Sequence, residues 1–92
     1  MNTLEFQRAL AKADEACKRF DAAYPGDRMI QSILAQLDFI KEWENAGRDW
    51  TDVRLKKLNF GLLASKGIDA EDRTLAQLLY EIANYIDENR RG

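Results

Sequence analysis

The sequence has no histidine, one cysteine and one proline, and its five glycines are scattered at positions 26, 47, 61, 67 and 92. Without histidine the chain lacks the commonest general base at neutral pH and the commonest metal ligand. A zinc site would have to be built from Cys17 and carboxylates, an unusual donor set. The scattered glycines leave no phosphate-cradling loop. Cys17 has no partner for an intramolecular disulfide, so a reducing cytoplasm is the expected location. No apolar run approaches the ~20 residues that span a bilayer. The segment MNTLEFQRAL has no basic stretch followed by an apolar one, and so does not read as a signal peptide. Neither sign of charge dominates: 14 basic and 16 acidic residues are interspersed, for a net charge of −2. That argues against binding nucleic acid, which calls for a clustered basic face. These absences point away from an enzyme, and they suggest no catalytic residue, cofactor or metal.

What the chain does contain is a globular composition, 46% hydrophobic and 33% charged over 92 residues, enough for one domain with a modest core. Its organising stretch is Tyr24 to Trp43. Tyr24-Pro25-Gly26-Asp27 is a turn signal, because proline fixes φ and glycine permits positive φ. A helix then runs from Asp27, as N-cap, to Ala46, with Gly47 as its stop. Ile30, Ile33, Leu34, Leu37 and Ile40 share one face of it. Asp38, Phe39, Glu42 and Trp43 lie away from that face. Either a later helix covers the two aromatics, or they form a partner-binding patch with an acidic rim.

Residues 2 to about 23 form the preceding helix, with Thr3 as candidate cap and a seam at Phe6, Leu10, Ala13, Cys17, Phe20 and Tyr24. The short Pro-Gly connection makes these two helices antiparallel neighbours. Glu5 with Arg8, Glu15 with Arg19, and Lys18 with Asp21 stand at spacings that permit surface ion pairs. Cys17 on the seam reads as a small buried hydrophobe.

The connection GRDWTD, residues 47 to 52, offers Asp49 or Thr51 as a cap for a third helix. Trp50 within it is either a staple at the end of the bundle or an exposed anchor. The third helix is expected over about 52 to 65, with Leu55, Leu58 and Leu62 on one face and Val53 and Phe60 on another. Apolar on two sides, it should be the most buried element. Gly61 inside it implies the close approach of a neighbour, and Lys66-Gly67 should end it in a left-handed turn. The last helix, about 73 to 89, is capped by Asp72 or Asp69 and carries Leu75, Leu78, Leu79, Ile82, Tyr85 and Ile86, with Tyr80 pointing elsewhere. Asp69, Glu71 and Asp72 lack the spacing of a calcium loop. The fold class is all-α, a compact antiparallel bundle of about four helices with a short, buried third helix, in one domain over 1–92.

The order of these features resembles a known family. Tyr24-Pro25-Gly26 leads into Gln36-Leu37 and Ile40, then Leu55, Leu58, Gly61, Ala64 and Lys66, then Asp69, Asp72, Leu75 and Leu79. This is similar to the small cytoplasmic immunity proteins of bacterial type VI secretion systems, over roughly residues 20 to 86. The best-known member neutralises an effector that hydrolyses NAD(P)⁺. The resemblance implies an inhibitor that binds a cognate toxin domain, 1:1, in the bacterial cytoplasm, with no catalytic residue of its own. It leaves the toxin open: an NAD(P)⁺ glycohydrolase, or another nucleotide-targeting toxin such as an adenosine polyphosphate synthetase.

For such an inhibitor the candidate partner-binding residues are Phe39, Trp43 and Trp50 as anchors, with Asp38, Glu42, Asp49 and Asp52 around them. An acidic rim suits a toxin site basic enough to hold a nucleotide's phosphates. The alternatives are a regulatory adaptor or a self-associating helical subunit using the same aromatics. A small enzyme built on Arg8, Arg19, Arg28, Arg54 and Arg73 is the remaining reading, and these arginines share no recognisable spacing.

Overall fold

A computed structural model describes residues 1–91. Among the described residues four α-helices follow one another: α1 over Thr3–Ala23, α2 over Arg28–Asn45, α3 over Phe60–Gly67 and α4 over Arg73–Arg91. A 3-10 turn, Val53–Lys57, stands between α2 and α3, and there is no strand among the described residues. The molecule measures 35 × 21 × 21 Å, its long axis set by α1, whose 21 residues reach about 31 Å at the rise of an α-helix.

Each helix packs on two others: α1 on α2 and α4, and α3 on α2 and α4. Cross-links show neighbours to be antiparallel. Gln7 near the start of α1 donates to Glu44 at the end of α2. Phe6 stacks on Tyr85 near the end of α4, with ring centroids 4.6 Å apart, while Tyr24 beyond α1 donates to Glu71 before α4. The core between them takes Phe6, Leu10, Ala13, Cys17 and Phe20 from α1, and Ile30, Ile33, Leu37, Ile40 and Trp43 from α2. Leu75, Leu79, Ile82 and Ile86 supply it from α4. These are the stripes the periodicity predicts, apart from Trp43, expected away from the Ile/Leu face of α2 but buried here, Tyr24, which is 46% exposed, and Leu34, Leu78 and Tyr85, which are half-buried at the edge.

The starts of α1, α2 and α4 are made by short polar side chains. Asp27 accepts from the Met29 and Ile30 amides at 2.9 and 3.2 Å, and Asp72 accepts from Leu75 at 3.0 Å, satisfying first-turn donors. For α1 the cap is Asn2, which accepts from the Glu5 amide at 2.8 Å, and not Thr3. Lys18 pairs with Asp14 one turn back at 2.9 Å instead of with Asp21.

The region after α2 departs furthest from expectation. Residues 52 to 65 do not form one helix: the 3-10 turn ends at Lys57, Leu58 is extended, and α3 begins at Phe60. The Asn59 amide donates to Gln36 Oε1 on α2 at 2.8 Å, and Gln36 Nε2 donates back to Asn59 Oδ1 at 2.7 Å. A side chain of α2 thus takes the place of the helical hydrogen bond that would have bridged the break. The break also alters burial. Leu55, Phe60 and Ala64 are buried, but Val53 is 66% and Leu62 56% exposed, so this is not the most buried element.

Gly61 does meet a close neighbour, for a methyl group there would lie 3.2 Å from the Ala83 Cβ on α4. Gly67 is not left-handed as expected; it ends α3 in helical form, and a side chain there would collide with the Met29 sulfur.

Candidate partner-binding surface

The sequence-selected residues lie on the second half of α2 and the 46–52 loop. Trp43 meets Asp49 and Trp50, and Phe39 and Asp52 meet at Arg54, whereas Asp38 lies apart, toward Lys41 and α1. Asp38, Glu42 and Asp49 are exposed, whereas Phe39, Trp50 and Asp52 are half-buried. Trp43 is 3% exposed. Its indole donates to the Asp49 carbonyl at 2.8 Å, and Trp50 packs against it edge-on with centroids 4.8 Å apart. Trp43 therefore faces the core and supports the loop from beneath, while Phe39 and Trp50 remain partly open.

The cover over Phe39 is an arginine. The Arg54 guanidinium lies 4.7 Å above the Phe39 ring, and Asp52 holds it through contacts of 2.7 and 3.1 Å. A cation over an aromatic face contributes ~0.5–1 kcal/mol at an exposed site. Hydrogen bonds from the Arg54 side chain and then its amide draw the Asp52 carboxyl below its usual value, so it stays ionised. Asp52 also caps the 3-10 turn through the Arg54 amide, a task expected of Asp49 or Thr51. Asp49 instead closes a turn of its own, accepting from the Thr51 amide at 3.0 Å and the Thr51 hydroxyl at 2.5 Å.

Arg48 lies beneath this loop and was not singled out by sequence reasoning. Gly47 and Arg48 are both left-handed, with φ of +103° and +60°. For a non-glycine residue that conformation costs roughly 1–2 kcal/mol. Arg48 Nε donates to both Glu44 oxygens at 2.9 and 2.8 Å, and Nη1 donates to the Tyr85 hydroxyl at 2.8 Å. The rings of Phe6, Trp43, Trp50 and Tyr85 surround the guanidinium, with centroids 5.0 to 6.0 Å away. Nη2 is buried and finds no oxygen; the ring faces supply the negative potential around it. Burial works against the charge, but the bonds to Tyr85 and Glu44 outweigh it and hold the arginine protonated. The Glu44-Arg48 spacing of four was the available signal.

Among the described residues no group of three or more cysteine, aspartate and glutamate side chains is placed to hold a metal ion. Equally, no helix there is long and apolar enough to cross a membrane.

The model of the Tsi6 family matches residues 3–88, nearly the whole bundle. The chain belongs to the Tsi6 family. Tsi6 is a type VI secretion immunity family, and membership makes this chain an immunity protein whose partner is a cognate toxin. No curated protein and no solved structure matches the chain.

Proposed function

We propose that this Tsi6-family protein inhibits its toxin by setting the acidic end of the bundle against the toxin's nucleotide-binding cleft. The observation that carries the reading is the surface itself. Phe39 lies half-open under Arg54, and the exposed Val53 is the next residue along from Arg54. Asp52 is bound to Arg54, Glu42 lies near enough to act on its charge, and Asp49 follows on the loop, whereas Asp38 lies toward Lys41 on the α1 side of α2. An apolar centre with a charged surround is the layout of a tight protein interface. Arg54 neutralises Asp52, and Lys56 and Lys57 are exposed nearby, so Glu42 and Asp49 are the carboxylates that would meet a cleft lined with the cations that hold substrate phosphates. Trp50 joins Phe39 as an anchor, and Trp43 acts through the loop it supports. The toxin is an NAD(P)⁺ glycohydrolase or another nucleotide-targeting enzyme such as an adenosine polyphosphate synthetase. The immunity protein itself works by 1:1 binding in the bacterial cytoplasm, without turnover.

The test is affinity capture of the tagged protein from its native bacterium, followed by expression of the captured partner alone and with this chain. Toxicity relieved by co-expression establishes the pair, and NAD⁺ and ATP levels in the poisoned cells name the reaction. The double charge reversal Asp38→Lys with Glu42→Lys should then abolish protection while the circular dichroism spectrum is kept. Full protection by that variant would move the interface to another face.

A further inference from the structure

We infer that Arg48 is a positioning residue that holds the 46–52 loop in the form the toxin meets, without touching the toxin itself. The inference rests on the loop belonging to the interface proposed above.

Three helices converge on this one side chain. Glu44 of α2 and Tyr85 of α4 take its N–H groups, and Phe6 of α1 lies 5.0 Å beneath the guanidinium. Only 16% of the side chain is exposed, so it points into the bundle while its neighbours Asp49 and Trp50 form the outer loop. The backbone provides the second, independent observation. Two left-handed residues in succession reverse the chain after α2 and bring the Asp49 carbonyl onto the Trp43 indole. Glycine or asparagine takes that conformation with less strain than arginine does. A strained arginine persists where its surroundings over-determine it, and here the side-chain anchors do so.

The loop downstream depends on this start. The Thr51 amide donates to Asp49 Oδ1, and the Asp52 amide donates to the Asp49 carbonyl at 3.1 Å. Release of Arg48 would therefore free Asp49, Trp50 and Asp52 together. Lysine cannot replace it, having no planar fork to engage Glu44 and Tyr85 at once while lying against aromatic faces. A loop ordered before binding spares the complex the entropy of ordering it afterwards.

The test uses Tyr85→Phe, which removes one hydroxyl from beneath the loop, and Arg48→Lys. In the free protein, amide hydrogen exchange at Thr51 and Asp52 should accelerate in both variants while the middle of α2 and α4 stays protected. Affinity for the captured toxin domain should fall about tenfold, the equivalent of one hydrogen bond to a charged group, mainly through faster dissociation. In a Trp50→Ala background the Tyr85→Phe change should have little further effect, because both act on the same loop. Unchanged exchange at Thr51 and Asp52 would overturn the inference. So would an equal loss of affinity in both backgrounds, which marks general destabilisation. If Asp49→Ala and Trp50→Ala both leave affinity intact, the loop is outside the interface and the role in binding falls. Exchange in the free protein then still decides whether Arg48 fixes the loop.

Discussion

Lys41 on α2 places its ammonium 2.8 Å from the Asp14 carboxylate on α1, joining two helices through a side chain only 10% exposed. Lys18 reaches the same oxygen at 2.9 Å. Burial pushes the Asp14 carboxyl up, but the two ammonium groups outweigh it and the net shift is downward from 3.8. A carboxyl whose folded value is depressed contributes stability above its unfolded value and loses that contribution as pH falls through the folded one. Asp14→Asn should thus lower stability by ~1–2 kcal/mol at neutral pH. The gap to the parent should close as pH drops below 3.8, as urea unfolding across that range would show.

Trp43 and Phe39 sit one turn apart on α2 and should respond differently to truncation. Trp43 is buried, and Trp43→Ala should cost ~3–5 kcal/mol of stability, visible as a large fall in melting temperature. Phe39 is half-buried under Arg54, so Phe39→Ala should keep the fold and weaken toxin binding by ~2 kcal/mol in a titration.

Cys17 is fully buried, and burial first, then the charges of Asp14 and Asp72, pushes its thiol up to about 12. The thiolate is the reactive form. A thiol reagent at mildly alkaline pH should therefore leave the folded protein unlabelled, and labelling should rise with the unfolded fraction as denaturant is added.

Gly61 faces Ala83 across the α3–α4 contact, with room for no more than a crowded methyl group. Gly61→Leu should destabilise the bundle by ~1–3 kcal/mol through overpacking. Gly61→Ala should fall within ~1 kcal/mol of the parent, because gain in helix propensity opposes the crowding. Chemical denaturation of the two variants separates these outcomes.

The sequence was most readable where local chemistry decides structure. Asp27 and Asp72 cap their helices because a short carboxylate can turn back onto the next amides, and the apolar stripes of α1, α2 and α4 face the core at the helical period. It was least readable between Asp52 and Phe60. Leu55, Leu58 and Leu62 have helical spacing, but the break at Asn59 is closed by Gln36, 23 residues earlier, and no local pattern signals that partner. The same limit applied at the site. Exposure of Asp38 and Glu42 followed from helix geometry, whereas burial of Trp43 depended on how the loop folded back to offer it the Asp49 carbonyl.

That break at Asn59 bears on how such a protein can change. Because Gln36 holds α3 independently of the 3-10 turn, the segment from Asp52 to Leu58 is joined to the bundle through buried Leu55, half-buried Leu58 and the contact of Arg54 with Phe39. Val53, Arg54, Lys56 and Lys57 are exposed, and their replacement would disturb little of the packing between α3 and α4. A lineage facing a succession of toxins could rewrite this outer panel residue by residue while inheriting the scaffold behind it unaltered.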